Sequence, residues 1–264
     1  FLARTPNSER ALVLRVPSFE NIDFKDIDGA NISLARDISN RFIVIRLSNV
    51  YFKELFDYLI ISICNSISDV SDPEEYSKIF LRCFYKWMQF FVILPDSKHK
   101  ESVIQGIFGE LIFLEIILNE LNGREINTAL SAWRGPYNTS QDFIFDDKNI
   151  EVKTRKEGNL SVKIANEEQL DQADGKDLEL AVVRLDSETA TGFTLSQLIE
   201  KILLICEENL GDISILIDAL RQKNLVPDNF SDYDEYIFYP ADVTLFNCGV
   251  NGFPKLVGSA LPTA

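Results

Sequence analysis

Between Ile104 and Leu121 the sequence spells a helix that is apolar almost all the way round, with Glu110 near its middle. The helical neighbours of Glu110 are Ile107, Phe113, Leu114 and Ile117. A helix without a polar face must be covered on several sides. The segment, expected to be helical over Ser102–Leu121, therefore belongs at the centre of a layered domain. It is not a membrane span, because Glu110, Glu115 and Glu120 interrupt it. A charged group in such a setting is costly unless it is paired or holds a cation. Gly106 and Gly109 would let a strand or a ligand come close to it. Glu110 is then a metal ligand, the partner of Lys153 or an arginine, or a residue at the edge of the apolar surface.

The stretch that follows supplies more charge. Asp142–Phe145 and Ile150–Thr154 read as a hairpin joined by Asp146-Asp147-Lys148-Asn149. Side chains alternate along a strand, so Asp142 and Ile144 share one face, as do Glu151 and Lys153. If Phe145 pairs with Ile150, Asp142 faces Lys153 and lies diagonal to Glu151, about 7–8 Å away along the backbone. Two carboxylates so placed can hold a hard cation, and magnesium suits a site with few protein oxygens. Phe143, Phe145, Ile150 and Val152 make the opposite face ordinary core. A solvated polar face would look the same.

Composition narrows the chemistry. His99 is the only histidine, which argues against Ser-His-Asp triads and His-dependent metal sites. Cys64, Cys83, Cys206 and Cys248 lack metal-binding spacing and read as buried free thiols in a reducing cytoplasm. Phe1–Arg10 shows no signal-peptide pattern. The net charge of −15 is awkward for a phosphate-binding protein. Counted over residues 1–95, 96–170 and 171–264, it divides into −1, −4 and −10, so most of the excess lies away from the hairpin.

The first fifty residues read as strands over Ala11–Phe19, Asn31–Ala35 and Arg41–Val50, with a turn at Asp28-Gly29. A helix follows from Tyr51, and another starts at Asp72-Pro73 and runs through Phe80, Phe84, Trp87 and Phe91 towards Pro95. That aromatic stripe has helical spacing and reads as core. A polar linker, Asp96–Glu101, leads to the apolar helix, which Asn122-Gly123 should close. Beyond the hairpin the pattern predicts strands at Leu160–Ile164, Leu178–Leu185 and Tyr236–Phe246. It predicts helices at Glu167–Ala173, Thr194–Glu208 and Leu210–Lys223.

Glu110, then Asp142, then Glu151-Val152-Lys153 resembles the PD-(D/E)XK nuclease superfamily in order and element type. The segments GIFGELIFLEIIL, SAWRGP, QDFIFDDKNIEVKT and VKIANEEQLD resemble an uncharacterised PD-(D/E)XK family associated with bacterial restriction and phage-defence loci. The likeness extends over most of the chain, including Trp87 and Tyr239-Pro240. One departure is Gln141, where proline would precede Asp142. The resemblance implies an α/β fold, with a restriction-endonuclease-like core whose central mixed β-sheet is flanked by helices over 96–264. An N-terminal β-rich and then helical lobe would occupy 1–95.

The same resemblance implies a magnesium-dependent endonuclease, with manganese able to substitute. Glu110, Asp142, Glu151 and the carbonyl of Val152 would be the metal ligands. Lys153 would orient or deprotonate the attacking water, and Gln169 would be a helper on the following helix. Arg155, Lys156 and Lys163 could meet phosphates or be inert surface charges. DNA is the implied substrate, with RNA left open. No membrane is involved, and the chain would act as a homodimer or with partner subunits of a defence system. Two other functions fit the sequence. One is a catalytically silent subunit that binds DNA or protein, and the other is an interaction subunit using the acidic last third.

Overall fold

The computed structural model describes residues 1–5, 7–20, 22–92, 98–121, 125–171, 175–186 and 192–254. The chain divides into two compact units, Phe1–Pro95 and Asp96–Ala264. Both combine helices with a sheet, and one of the two sheets is mixed, so the α/β class expected from the sequence holds.

The first unit carries five antiparallel strands: β1 (Leu2–Arg4), β2 (Arg10–Arg15), β3 (Ile27–Asp28), β4 (Ile32–Asp37) and β5 (Phe42–Leu47). Their spatial order is β1-β2-β5-β4-β3. β5 alternates as a half-buried strand should, with Ile43, Ile45 and Leu47 inside. Two helices follow, α1 (Lys53–Ile67) and α2 (Pro73–Trp87), and they pack on each other. Phe80, Phe84, Trp87 and Phe91 are buried, which makes the aromatic stripe core as expected. The Trp87 indole N–H is satisfied by Ser62 Oγ at 3.1 Å. The regular α2 helix stops at Trp87, earlier than Pro95, and continues as a 3-10 turn, Met88–Phe90.

The second unit is built around α3 (Glu101–Glu120), the apolar helix. It is followed by α4 (Ile126–Ala132), β6 (Phe143–Ile144), β7 (Lys148–Lys156), β8 (Asp177–Leu185), α5 (Leu195–Glu208), α6 (Ile213–Gln222) and β9 (Pro240–Asn247). The sheet runs β6-β7-β8-β9, with β7 and β8 parallel and the outer pairs antiparallel. Helix α3 is sandwiched between α5 and β7. That placement explains why it carries no polar face. A β-carbon on Gly109 would stand 2.0 Å from Thr154 Oγ1, so only glycine allows this approach of helix to strand. Nothing comes within 4 Å of the same position at Gly106, so the close approach expected there is absent.

Several sequence expectations need correction. The hairpin register is two residues tighter than expected: Phe143 pairs with Ile150 and Ile144 with Asn149. Phe145 N donates to Lys148 O at 2.9 Å, which leaves only Asp146-Asp147 in the turn. A shift of two preserves the facing of every side chain. Asp142 therefore stays on the side of Glu151 but moves opposite it. The strand expected at Leu160–Ile164 is irregular chain, because β8 already occupies the parallel position beside β7. Leu160 is 96% exposed, while Val162 and Ile164 pack on a cluster of Leu170, Leu178, Leu180, Val182 and Cys248.

The helix expected at Glu167–Ala173 is a single 3-10 turn, Glu167–Leu170, and Ala173 lies outside the described residues. Asn122-Gly123 and the start of the Asp96–Glu101 linker lie outside them as well. Helix α4 was not foreseen. Of the four cysteines, Cys206 and Cys248 are buried, but Cys64 is exposed and Cys83 is partly so. Among the described residues no helix is long and apolar enough to cross a membrane.

Candidate metal centre

Three acids lie on α3 beyond its first turn, and only one lacks a simple explanation. Glu115 pairs with Lys201 on α5 at 2.6 Å, and Glu120 is exposed. Glu110 faces inward and makes no ion pair with a lysine or arginine among the described residues. Its Oε2 accepts a hydrogen bond from the Trp133 indole at 2.8 Å. Trp133 is fully buried and is bridged to Phe143 at the head of β6. The chain then turns at Gly135–Tyr137, and the Arg134 and Gly135 amides both donate to the Asp142 carbonyl, at 2.7 and 2.9 Å. A β-carbon on Gly135 would stand 2.6 Å from Glu110 Oε2 and 2.7 Å from Asp142 Oδ1. Those two oxygens flank one small space, which the missing side chain at Gly135 leaves open.

Asp142 is held at its other end too. Its Oδ2 accepts from the Val152 amide at 2.8 Å. On β7, Glu151 is 1% exposed, because its neighbours Leu180 and Val182 belong to the cluster that the 160–170 segment covers. Glu151 Oε1 is paired with Lys153 Nζ, while Oε2 is buried and has no hydrogen-bond partner. The structure thus brings Glu110 to Asp142, and Glu151 to Lys153, around the same hairpin.

Gln169 is placed differently. Its side-chain oxygen accepts from Ala165 N at 2.8 Å, just ahead of its own 3-10 turn, and its backbone amide donates to the capping Asn166 side chain at 3.1 Å. Gln141 is the residue that ties this turn to the site. Its amide donates to Glu168 O at 2.7 Å, and its oxygen accepts from Asn149 at 3.3 Å. Of the basic residues beyond the motif, Arg155 donates to Asn159 O, Lys156 pairs with Glu101 at 2.8 Å, and Lys163 is exposed. A cleft of about 820 Å³ opens past Lys156, around Tyr236 and Tyr239, but Glu101, Glu157, Asp186 and Glu235 give it an acidic rim. It does not make a track for phosphates.

The electrostatics follow from this crowding. Burial, then the Asp142 charge, pushes Glu110 up to about 8, against the opposing hydrogen bond from Trp133. Burial, then Asp142, pushes Glu151 up to about 8, against the opposing charge and hydrogen bond of Lys153. Asp142 is raised by burial, opposed by the Val152 amide and by the charges of Lys153 and Lys223. Among the described residues no three histidine, cysteine or acidic side chains are already gathered at metal-binding spacing. The donor set nonetheless fits a hard cation. It consists of carboxylate oxygens, one of them buried without a partner, in a place where added positive charge would relieve repulsion.

A pH dependence follows. Acids raised from about 4.5 in the unfolded chain to about 8 in the fold bind more protons when folded. Stability from these groups is therefore present at low pH and lost as pH climbs through that window. With a chelator present, urea unfolding should show a fall on the order of 2–4 kcal/mol between about pH 5 and 8.5. Glu151→Gln should flatten the fall, and manganese should reverse it at the alkaline end. A variant whose profile overlays that of the parent would contradict the assignment.

Sequence reading missed Trp133, Gly135 and Lys223. The WRGP segment was visible only as a loop, although a tryptophan beside a glycine just before an acidic strand was a usable signal. Nothing in the sequence places Lys223 here. No curated protein and no solved structure matches this chain. Along residues 1–264 the sequence matches the DUF4420 family, described as "Putative PD-(D/E)XK family member", and the chain belongs to that family.

Proposed function

We propose that this protein is a magnesium-dependent nuclease that hydrolyses DNA phosphodiester bonds. One observation carries the reading: Glu110, Asp142, Glu151 and Lys153 converge on one hairpin, with a buried carboxylate oxygen of Glu151 lacking a partner. Glu110, Asp142, Glu151 and the Val152 carbonyl would hold the cation. When bound, it would supply Lewis-acid polarisation of the phosphate and a more acidic water. Lys153 would orient the attacking water and balance charge building on the phosphate. The Val152 amide and the Arg134 and Gly135 amides hold Asp142 in place before substrate arrives, so little reorganisation is needed. Gln169 acts indirectly, by ordering the turn that covers the Glu151 face. A restriction or phage-defence setting, in the cytoplasm and with partner subunits or a second copy, follows from the family resemblance.

A second reading is a silent subunit that binds DNA or protein. It draws on the Lys153–Glu151 pair, which leaves the lysine engaged. Supercoiled plasmid incubated with magnesium or manganese separates the two. Nicked and linear products that vanish with chelator support the nuclease. Plasmid left intact under every metal condition, with DNA still bound, supports the silent subunit.

A further inference from the structure

Two lysines stand on elements that frame this hairpin, Lys153 on β7 and Lys223 at the end of α6. Lys153 is engaged by Glu151. Lys223, at the end of α6, makes no ion pair among the described residues, and α6 packs on the Gly135–Tyr137 turn that borders Glu110 and Asp142. Its placement is built. Asp218 on α6 accepts a hydrogen bond from the Tyr137 hydroxyl at 2.7 Å, which ties the helix to the turn whose Gly135 abuts Glu110 and Asp142. One turn further on, the Lys223 amide donates to Leu220 O at 2.9 Å, and its carbonyl accepts from His99 Nε2 at 2.6 Å. Asn224 then takes a left-handed conformation (φ 55°), and Leu225 is fully buried. The backbone at Lys223 is fixed on both sides, and only the side chain is left to respond to a ligand.

Resting on the nuclease reading above, we propose that Lys223 contacts a backbone phosphate of duplex DNA on the Glu110–Asp142 side of the site. The chain carries a net charge of −15, and three carboxylates crowd this hairpin. A phosphodiester approaching them needs a local cation, and a lysine is a compact point charge with three donors suited to that task. His99, the only histidine, is a positioning residue that holds the Lys223 carbonyl.

The test compares the intact protein with Lys223→Ala, Lys223→Gln and Lys223→Arg. The measurement is plasmid cleavage with magnesium across about 50 to 200 mM salt. A lost phosphate contact should lower kcat/KM about tenfold, mainly through KM, for Ala and Gln. It should also flatten the plot of log kcat/KM against log salt by about 0.9. Arg should keep both the slope and the parental melting temperature, and Ala and Gln should stay folded, because the backbone anchors remain. A slope unchanged in Lys223→Ala would overturn the proposal, even if that variant bound manganese more tightly, since screening of Glu110 and Asp142 alone would do that. An intact protein that neither cleaves nor binds DNA would instead remove the nuclease reading, and this proposal with it.

Discussion

Asparagine at position 142 is expected to leave the protein folded, more stable above neutral pH, and inactive. The reasoning starts from the two oxygens of Asp142. Oδ2 accepts from the Val152 amide, a bond that an asparagine carbonyl can also accept. The main-chain carbonyl of the residue keeps its two amide donors whatever the side chain. What changes is the charge. With it gone, the second-largest cause of the raised Glu110 and Glu151 values disappears, and both carboxyls ionise at lower pH. The folded state then loses a repulsion, so unfolding in chelator should become harder at pH 8. Cleavage should fall by at least about a hundredfold to a thousandfold, as for the loss of a principal charged group at a reacting centre. Lys153→Ala should lose activity to a similar degree, but with lower stability. It leaves the Glu151 carboxyl without its partner where it is 1% exposed, at a cost of about 1–3 kcal/mol. Opposite signs in stability with the same sign in activity separate a metal ligand from the lysine that balances its charge. Cleavage retained in Asp142→Asn would remove Asp142 from the site.

The parts of this arrangement visible in the sequence are those set by local periodicity. Glu110 announced itself because every helical neighbour is apolar, and the hairpin because its side chains alternate. The register was read two residues off, since the tight Asp146-Asp147 turn competes with a four-residue connection that the sequence allows equally. The facing survived only because two is the period of a strand. What stayed hidden depends on pairing between distant segments. Strand alternation alone fits Glu151 either as a cation ligand or as part of a solvated face. Glu151 is buried because β8 runs parallel beside β7 and the 160–170 segment covers both. Leu160–Ile164 has the composition of a strand, but Val162 and Ile164 pack on the face of the sheet instead of pairing with a strand. Trp133 reaches Glu110 from the end of α4, and α6 is tied to the Gly135–Tyr137 turn, dockings that no local pattern encodes.

Two glycine substitutions probe this tertiary logic, and they should fail in different ways. At Gly109 a methyl group would stand 2.0 Å from Thr154 Oγ1 and 3.2 Å from its β-carbon, so helix and strand must separate. The obstruction is a β-branched side chain on the central strand, which has little freedom to yield. Gly109→Ala should therefore cost about 3 kcal/mol or more in urea unfolding, since overpacking of this severity forces the backbone to shift. Trimming the obstacle in Gly109→Ala/Thr154→Ser should recover part of the loss, because the serine hydroxyl can turn away, and Gly109→Ala/Thr154→Ala should recover much of it. At Gly135 the nearest atoms to the methyl group would be the ends of two carboxylates, Glu110 Oε2 at 2.6 Å and Asp142 Oδ1 at 2.7 Å. Gly135 is not among the glycines with a left-handed backbone, so alanine is not strained there by conformation. Gly135→Ala should thus fold with a modest stability change, yet occupy the space between the two oxygens that the cation needs. Cleavage and manganese-induced stabilisation should both be lost together. A Gly135→Ala protein that still gains stability from manganese would place the cation elsewhere on the hairpin, away from the Glu110–Asp142 pair.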